Sequence, residues 1–88
     1  VGHAIGQRLR TLGGEKQVLC VTHLPQAAAC AHHHFQVSKE GDHEQVKSRL
    51  TVLDHATRIE EIARMLGGAS VTKKTRDHAR ELLEAAVL

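Results

Sequence analysis

Aromatic side chains are almost missing from this chain. Its 88 residues include one Phe, no Tyr and no Trp. Large rings therefore cannot carry the core, which must rest on aliphatic and alanine packing. A chain of this length has little margin for such a core, and it has room for one small domain only. Long apolar runs are missing too. None approaches the ~20 residues needed to span a bilayer, so no membrane partner is expected. The N-terminus lacks the basic-then-apolar pattern of an export signal. Cysteine is scarce: Cys20 and Cys30 are too few for a disulfide framework, and a reduced, cytoplasmic setting is expected. Cys20 lies inside an apolar run and reads as a small buried hydrophobe. Nor does charge of one sign dominate. Twelve basic and ten acidic residues leave a net +2, which does not by itself imply nucleic-acid or membrane binding. The eight histidines add positive charge below about pH 6.5. Position 1 is Val, not Met, as expected of a piece of a longer chain or of a trimmed one.

What is present is periodic. Val1, Ile5, Leu9 and Leu12 recur at helical spacing, and Gly13-Gly14 supplies a stop. Gln17 to Thr22 then reads as a strand. Its core, Val18 to Val21, is continuously apolar, as in strands buried on both faces of a parallel sheet. Pro25 fits the first turn of a short helix expected over Gln26 to Ala31. Phe35 and Val37 alternate with Gln36 and Ser38, Gly41-Asp42 marks a turn, and Val46, Leu50 and Val52 share one face of a second strand. These make an antiparallel hairpin. Ile59, Ile62, Ala63 and Leu66 form a helical stripe, with Thr57 and Glu60 at capping-box spacing and Gly67-Gly68 as the end. A last helix from about Thr72 turns Ala79, Leu82, Leu83 and Ala86 inward. The class is α/β, with no domain boundary inside residues 1–88. A strand apolar on both faces needs neighbours on both edges. The hairpin cannot supply them, so the missing parallel strands are expected upstream.

Thr22-His23 is the first place to look for chemistry. In open α/β sheets, ligands bind outside the carboxyl ends of the strands. An imidazole there can donate a hydrogen bond to a phosphate oxygen or to an attacking water. The plain alternative is that both side chains only cap strand and helix backbone groups. Position in a fold is analogy, so spacing alone favours the plain reading.

A resemblance changes that balance. "QVLCVTHLPQAAACAHHHFQVSKE", followed by "RIEEIARMLGGASVTKKTRDHARELL", resembles the C-terminal end of the RecN family. These are bacterial DNA repair ATPases related to the structural-maintenance-of-chromosomes proteins. T-H-L-P-Q resembles the family's switch-histidine loop, and A-R-M-L-G-G with the following helix resembles its tail. The likeness runs from Ile5 to Leu83. It implies that residues 1–88 are the C-terminal lobe of a single P-loop ATPase head of the ABC/SMC type. Such a head is assembled from N- and C-terminal segments joined through a coiled coil. It binds ATP and Mg²⁺, closes as a head-to-head homodimer and acts on DNA in recombinational repair of double-strand breaks. The implied place is the cytoplasm, at the nucleoid after DNA damage. The P-loop G-x-x-x-x-G-K-[ST] and the signature motif are absent from this sequence. The Walker B strand, with its catalytic Glu, would precede Val1. By this likeness His23 contacts the γ-phosphate side of the nucleotide, senses it and helps to place the attacking water. Thr22 and Gln26 would support the loop. The piece alone is expected not to hydrolyse ATP.

Other readings compete. His32-His33-His34 with Cys30 invites a metal, and His43 and His55 are distant further ligands. Yet on a strand His33 points away from His32 and His34, and no ligand pair stands at finger-like spacing, so no metal site is assigned. A Cys30 nucleophile lacks oxyanion donors and an orienting acid. The basic run Lys73-Lys74-Thr75-Arg76 could touch DNA phosphates, but it also reads as a solvated helix start. Arg58 and Arg64 read as surface or packing residues. The second function class is a stand-alone histidine-rich module that binds metal or protein. It should be compact and monomeric, whereas the ATPase piece should expose apolar sheet and aggregate.

Overall fold

The computed structural model describes residues 1–87. Leu88, the last residue of the expected 1–88 unit, lies outside them. Helix α1 spans Gly2–Gly13, α2 spans Pro25–Ala28, strands β1 and β2 span Phe35–Gly41 and Val46–Val52, α3 spans His55–Gly67, and α4 spans Lys73–Ala86. The order agrees with the sequence reading, with one exception.

The exception is the stretch Gln17–Thr22. It is not hydrogen-bonded into any sheet, and Cys20 is exposed rather than buried. Leu19 is 87% exposed and Val21 96%. The cause is the one already visible in the sequence. A strand apolar on both faces needs partners, and the two strands described pair only with each other. The short helix is also shorter than expected. It closes at Ala28, and Ala29–Cys30 follow as a turn.

The hairpin pairs antiparallel, with Phe35 opposite Val52, Val37 opposite Leu50 and Gly41 opposite Val46. Directly opposed residues share a face. One face is therefore apolar (Phe35, Val37, Val46, Leu50, Val52), and all of these residues are exposed. From the other face Gln36 reaches α3, where its Nε2 donates to Glu61 Oε2 at 2.8 Å. The turn is held by Asp42, whose Oδ1 accepts from the Glu44 and Gln45 amides at 3.0 and 3.1 Å. Gly41 has φ +116°, and a Cβ there would lie 1.7 Å from the Gln45 carbonyl oxygen. Only glycine fits.

The core lies where α2, α3 and α4 meet. Ala28, Ala29, Ile59, Ile62, Ala63, Ala79 and Leu83 form it, with Leu66 and Leu82 half-buried against them. Ile62 is fully buried. Four of these seven residues are alanine, as the lack of aromatics requires. The capping box of α3 sits one turn earlier than its expected Thr57–Glu60 pair. Asp54 is the N-cap: its Oδ1 accepts from the Thr57 amide at 2.9 Å, and Thr57 Oγ1 accepts from the Asp54 amide at 2.9 Å. Thr57 is thus the third residue of the helix, where the Asp54 carboxylate satisfies its otherwise unpartnered amide. Thr72 caps α4 through Thr75, as its position in the sequence implies. The basic run that follows is the first turn of α4, with Lys73 and Lys74 exposed, and its half-buried Arg76 pairs through Nε with Glu60 on α3 at 2.6 Å.

Helix α1 meets α2 at a glycine. A Cβ on Gly6 would stand 2.7 Å from Cys30 Sγ and 3.1 Å from the Ala27 Cα. Gln7 extends the contact to the far end of the chain, its Nε2 donating to the Ala86 carbonyl at 3.1 Å.

Candidate functional site

The three residues picked out by sequence fall in one turn and the first turn of α2. The Thr22 hydroxyl accepts from the Leu24 amide at 3.0 Å, closing a Thr-led turn around His23. Leu24, not Thr22 or His23, is the N-cap residue of α2, and no side-chain hydrogen bond caps that helix. Thr22 thus bonds the backbone of its own turn without capping α2, and His23 is exposed and does not cap it either. Gln26 is exposed in the first turn, and its carbonyl accepts from Cys30 Sγ at 3.3 Å. Local hydrogen bonds link the turn to α2. Leu24 O accepts from the Ala27 and Ala28 amides at 3.1 and 3.0 Å, and Pro25 O accepts from Ala29 at 2.9 Å.

The far end of α2 holds a feature that the sequence reading missed. Arg58 Nη2, from α3, donates to the carbonyls of Ala28, Ala29 and Ala31 at 3.1, 3.2 and 2.6 Å. Arg10 Nη1, from α1, donates to the Cys30 carbonyl at 2.8 Å. Of the two readings given for Arg58, surface or packing, the structure takes packing, against α2. Arg58 is half-buried across the end of α2, and burial and the nearby Arg10 cation both push its pKa down. The carbonyls at a helix C-terminus lack intrahelical partners and carry partial negative charge, which is what draws cations there. Spacing gave no signal for this. The helical period of α3 places Arg58 beside Ile59 and Ile62 without saying which element faces it.

Arg64, by contrast, is exposed and pairs with Glu61, holding that carboxyl below its usual pKa. His34 lies half-buried near Arg58 and Glu61. Burial, then Arg58, push its pKa below the ordinary imidazole value, and Glu61 opposes them. Among the described residues, His34 Nδ1 and Arg58 Nε are buried without a hydrogen-bond partner.

The histidine run does not gather ligands. His32 and His33 are exposed, His34 points into the fold, and Cys30 is buried against Gln7 and Gln26. Among the described residues, no three of His, Cys, Asp and Glu are placed to hold a metal ion. Among the described residues, the concavity between the hairpin and α3 and the one at the α3–α4 corner are not lined by Thr22, His23 or Gln26. No described helix is long and apolar enough to cross a membrane.

Known proteins fill in the context. No protein-family model matches the chain. Individual relatives do. A protein of Vibrio cholerae named "DNA repair protein RecN" is 48% identical over 82 residues, which is 93% of this chain. The chain matches a C-terminal segment of RecN. A RecN of Xylella fastidiosa is 48% identical over 96% of the chain, and the RecN of Bacillus subtilis is 40% identical over 98%. The chain spans about 15% of the length of these RecN proteins. The RecN likeness therefore embraces the His23 turn, the hairpin and both C-terminal helices together.

Proposed function

We propose that this chain is the C-terminal lobe of the ATP-binding head of a RecN-like protein, and that His23 is its nucleotide-sensing switch residue. The intact protein would act in ATP-dependent recombinational repair of DNA double-strand breaks. It would work in the cytoplasm at the nucleoid, as a head-to-head homodimer on DNA. The observation that carries the reading is the unpaired apolar run Val18–Val21 leading into an exposed His23, in a chain matched to RecN along nearly its whole length. An apolar strand with bare edges is a strand awaiting a sheet. Once paired, it would set His23 at that sheet's carboxyl edge, where α/β folds bind ligands.

The residues present fit one edge of a nucleotide site, not a whole one. The His23 side chain is exposed and does not cap α2, whereas among the described residues no carboxylate cluster could hold Mg²⁺. ATP and Mg²⁺ would be held mainly by other segments, and ATP supplies the phosphoanhydride bond that is cut. The work of this chain is positional. The imidazole hydrogen-bonds on the γ-phosphate side and orients the attacking water, a role that fits phosphoryl transfer, where positioning and electrostatics dominate. Thr22 fixes the turn, and Gln26 extends the polar edge. The chain alone should not hydrolyse ATP. In a full-length protein, His23→Ala should slow turnover while ATP binding stays largely intact. Loss of binding with unchanged turnover per bound nucleotide would contradict the switch role.

A further inference from the structure

We propose that Arg58, assisted by Arg10, is a positioning residue for His23: the two guanidinium groups clamp the C-terminal end of α2 and thereby fix the turn that carries the imidazole. The proposal rests on the reading of His23 as the nucleotide-sensing residue.

The clamp is continuous with the turn. The carbonyls of residues 28 to 31 each accept a guanidinium hydrogen bond, one from Arg10 and three from Arg58. Pro25 O and Leu24 O bind the amides of Ala29, Ala28 and Ala27, and the Leu24 amide binds Thr22 Oγ1. Hydrogen bonds thus run without a gap from α3 to the residues on both sides of His23. Helix α2 is only four residues long and cannot hold its own direction. It borrows rigidity from α1 and α3, which are 12 and 13 residues long.

The chemistry calls for arginine. All three Arg58 contacts fall on one nitrogen, Nη2, whose two N–H groups are shared among the carbonyls, while Nε has no partner among the described residues. What the guanidinium adds is a rigid planar head that is always charged, whereas a lysine ammonium is a compact point charge on a flexible stem. Among the described residues, neither Arg10 nor Arg58 takes a carboxylate in a salt bridge. Two cations are held near one another and partly out of water, and the backbone oxygens of α2 are what offset that. Ordinary surface arginines do not accept such a position.

The test uses the full-length protein that carries this segment. His23→Ala, Arg58→Met, Arg58→Lys and the double variant His23→Ala/Arg58→Met are compared for steady-state ATP turnover and for ATP binding. Arg58→Met should lower kcat roughly ten- to a hundred-fold through misplacement, leave ATP affinity unchanged and add nothing to the loss already present in His23→Ala. Arg58→Lys should fall between Arg58→Met and the parent. Additive losses in the double variant overturn the clamp and leave the His23 reading standing. So does an unchanged kcat in Arg58→Met beside a slowed His23→Ala. If His23→Ala turns over normally, the switch reading itself fails, and the clamp's role falls with it. Should Arg58→Met not fold, Arg58→Lys and Arg10→Met carry the test: a lower kcat with unchanged ATP affinity is expected, and unchanged kcat in both overturns the proposal.

Discussion

Replacing Gly6 with alanine sets two effects against each other. In a helix interior alanine is favoured over glycine by about 0.8–1.0 kcal/mol, so an open site would be stabilised. Gly6 is not open. Its added Cβ would lie 2.7 Å from Cys30 Sγ, 3.0 Å from Cys30 Cβ and 3.1 Å from the Ala27 Cα. Overpacking of this kind costs about 1–3 kcal/mol, and a backbone neighbour that cannot move puts this site in the upper part of that range. Ala27 is backbone in a helix whose far end is pinned by Arg10 and Arg58, so it has nowhere to go. The clash should win. Gly6→Ala should destabilise the chain by about 1–2 kcal/mol net, a fall in Tm of about 4–8 °C for each kcal/mol in a domain of this size. Thermal unfolding followed by far-UV circular dichroism reads it. Cys30→Ala on the Gly6→Ala background should recover part of the loss, because Sγ is the tightest contact. The recovery should be incomplete, because Cys30 Cβ and Ala27 remain. A Gly6→Ala chain as stable as the parent, or losses that simply add in the double variant, would refute the packing of α1 on α2.

Thr72→Ala removes the side-chain cap of α4 and should cost about 1 kcal/mol, while Thr72→Ser should restore most of it; urea unfolding separates the two. Asp54 should make stability depend on acid. The Thr57 amide, and then the Thr57 hydroxyl, hold its carboxyl below the ordinary 3.8. Its contribution is therefore complete above that value and is lost as pH falls through the depressed one. Asp54→Asn should flatten this acid limb in a pH series of Tm values, and an unchanged limb would rule Asp54 out as its source. The apolar face of the hairpin should make the isolated chain self-associate. Pairing charges across it with Val37→Lys and Leu50→Glu, which stand opposite each other, should shift light scattering towards monomer.

The helices were legible because their own residues decide them. The stripe Ile59, Ile62, Ala63 and Leu66 and the inner face of α4 are local patterns, and the structure buries them wholly or in part. The hairpin was legible because alternation and Gly41-Asp42 fix its register from within. What failed depends on partners. Val18 to Val21 have the composition of a two-sided buried strand, yet burial is a property of neighbours that this chain does not contain. The capping box slipped by three residues because Asp54 and Glu60 are both plausible partners for Thr57 on spacing, and only backbone geometry chooses between them. The partners of Arg58, read as a surface or packing residue, were hidden for a similar reason. They are carbonyls, which every residue has, so nothing in the sequence marks them. At the candidate site the Thr-His-Leu-Pro-Gln segment was legible as a turn entering a helix. Its clamp became visible only once α1 and α3 were folded against it.

The most direct measurement is a structure of the full-length protein with a non-hydrolysable ATP analogue and Mg²⁺. The account predicts Gln17–Thr22 paired between parallel strands, with the His23 imidazole within about 3 Å of a γ-phosphate oxygen or of the water poised to attack it. A nucleotide bound away from His23, with Gln17–Thr22 still unpaired in the closed head, would contradict it.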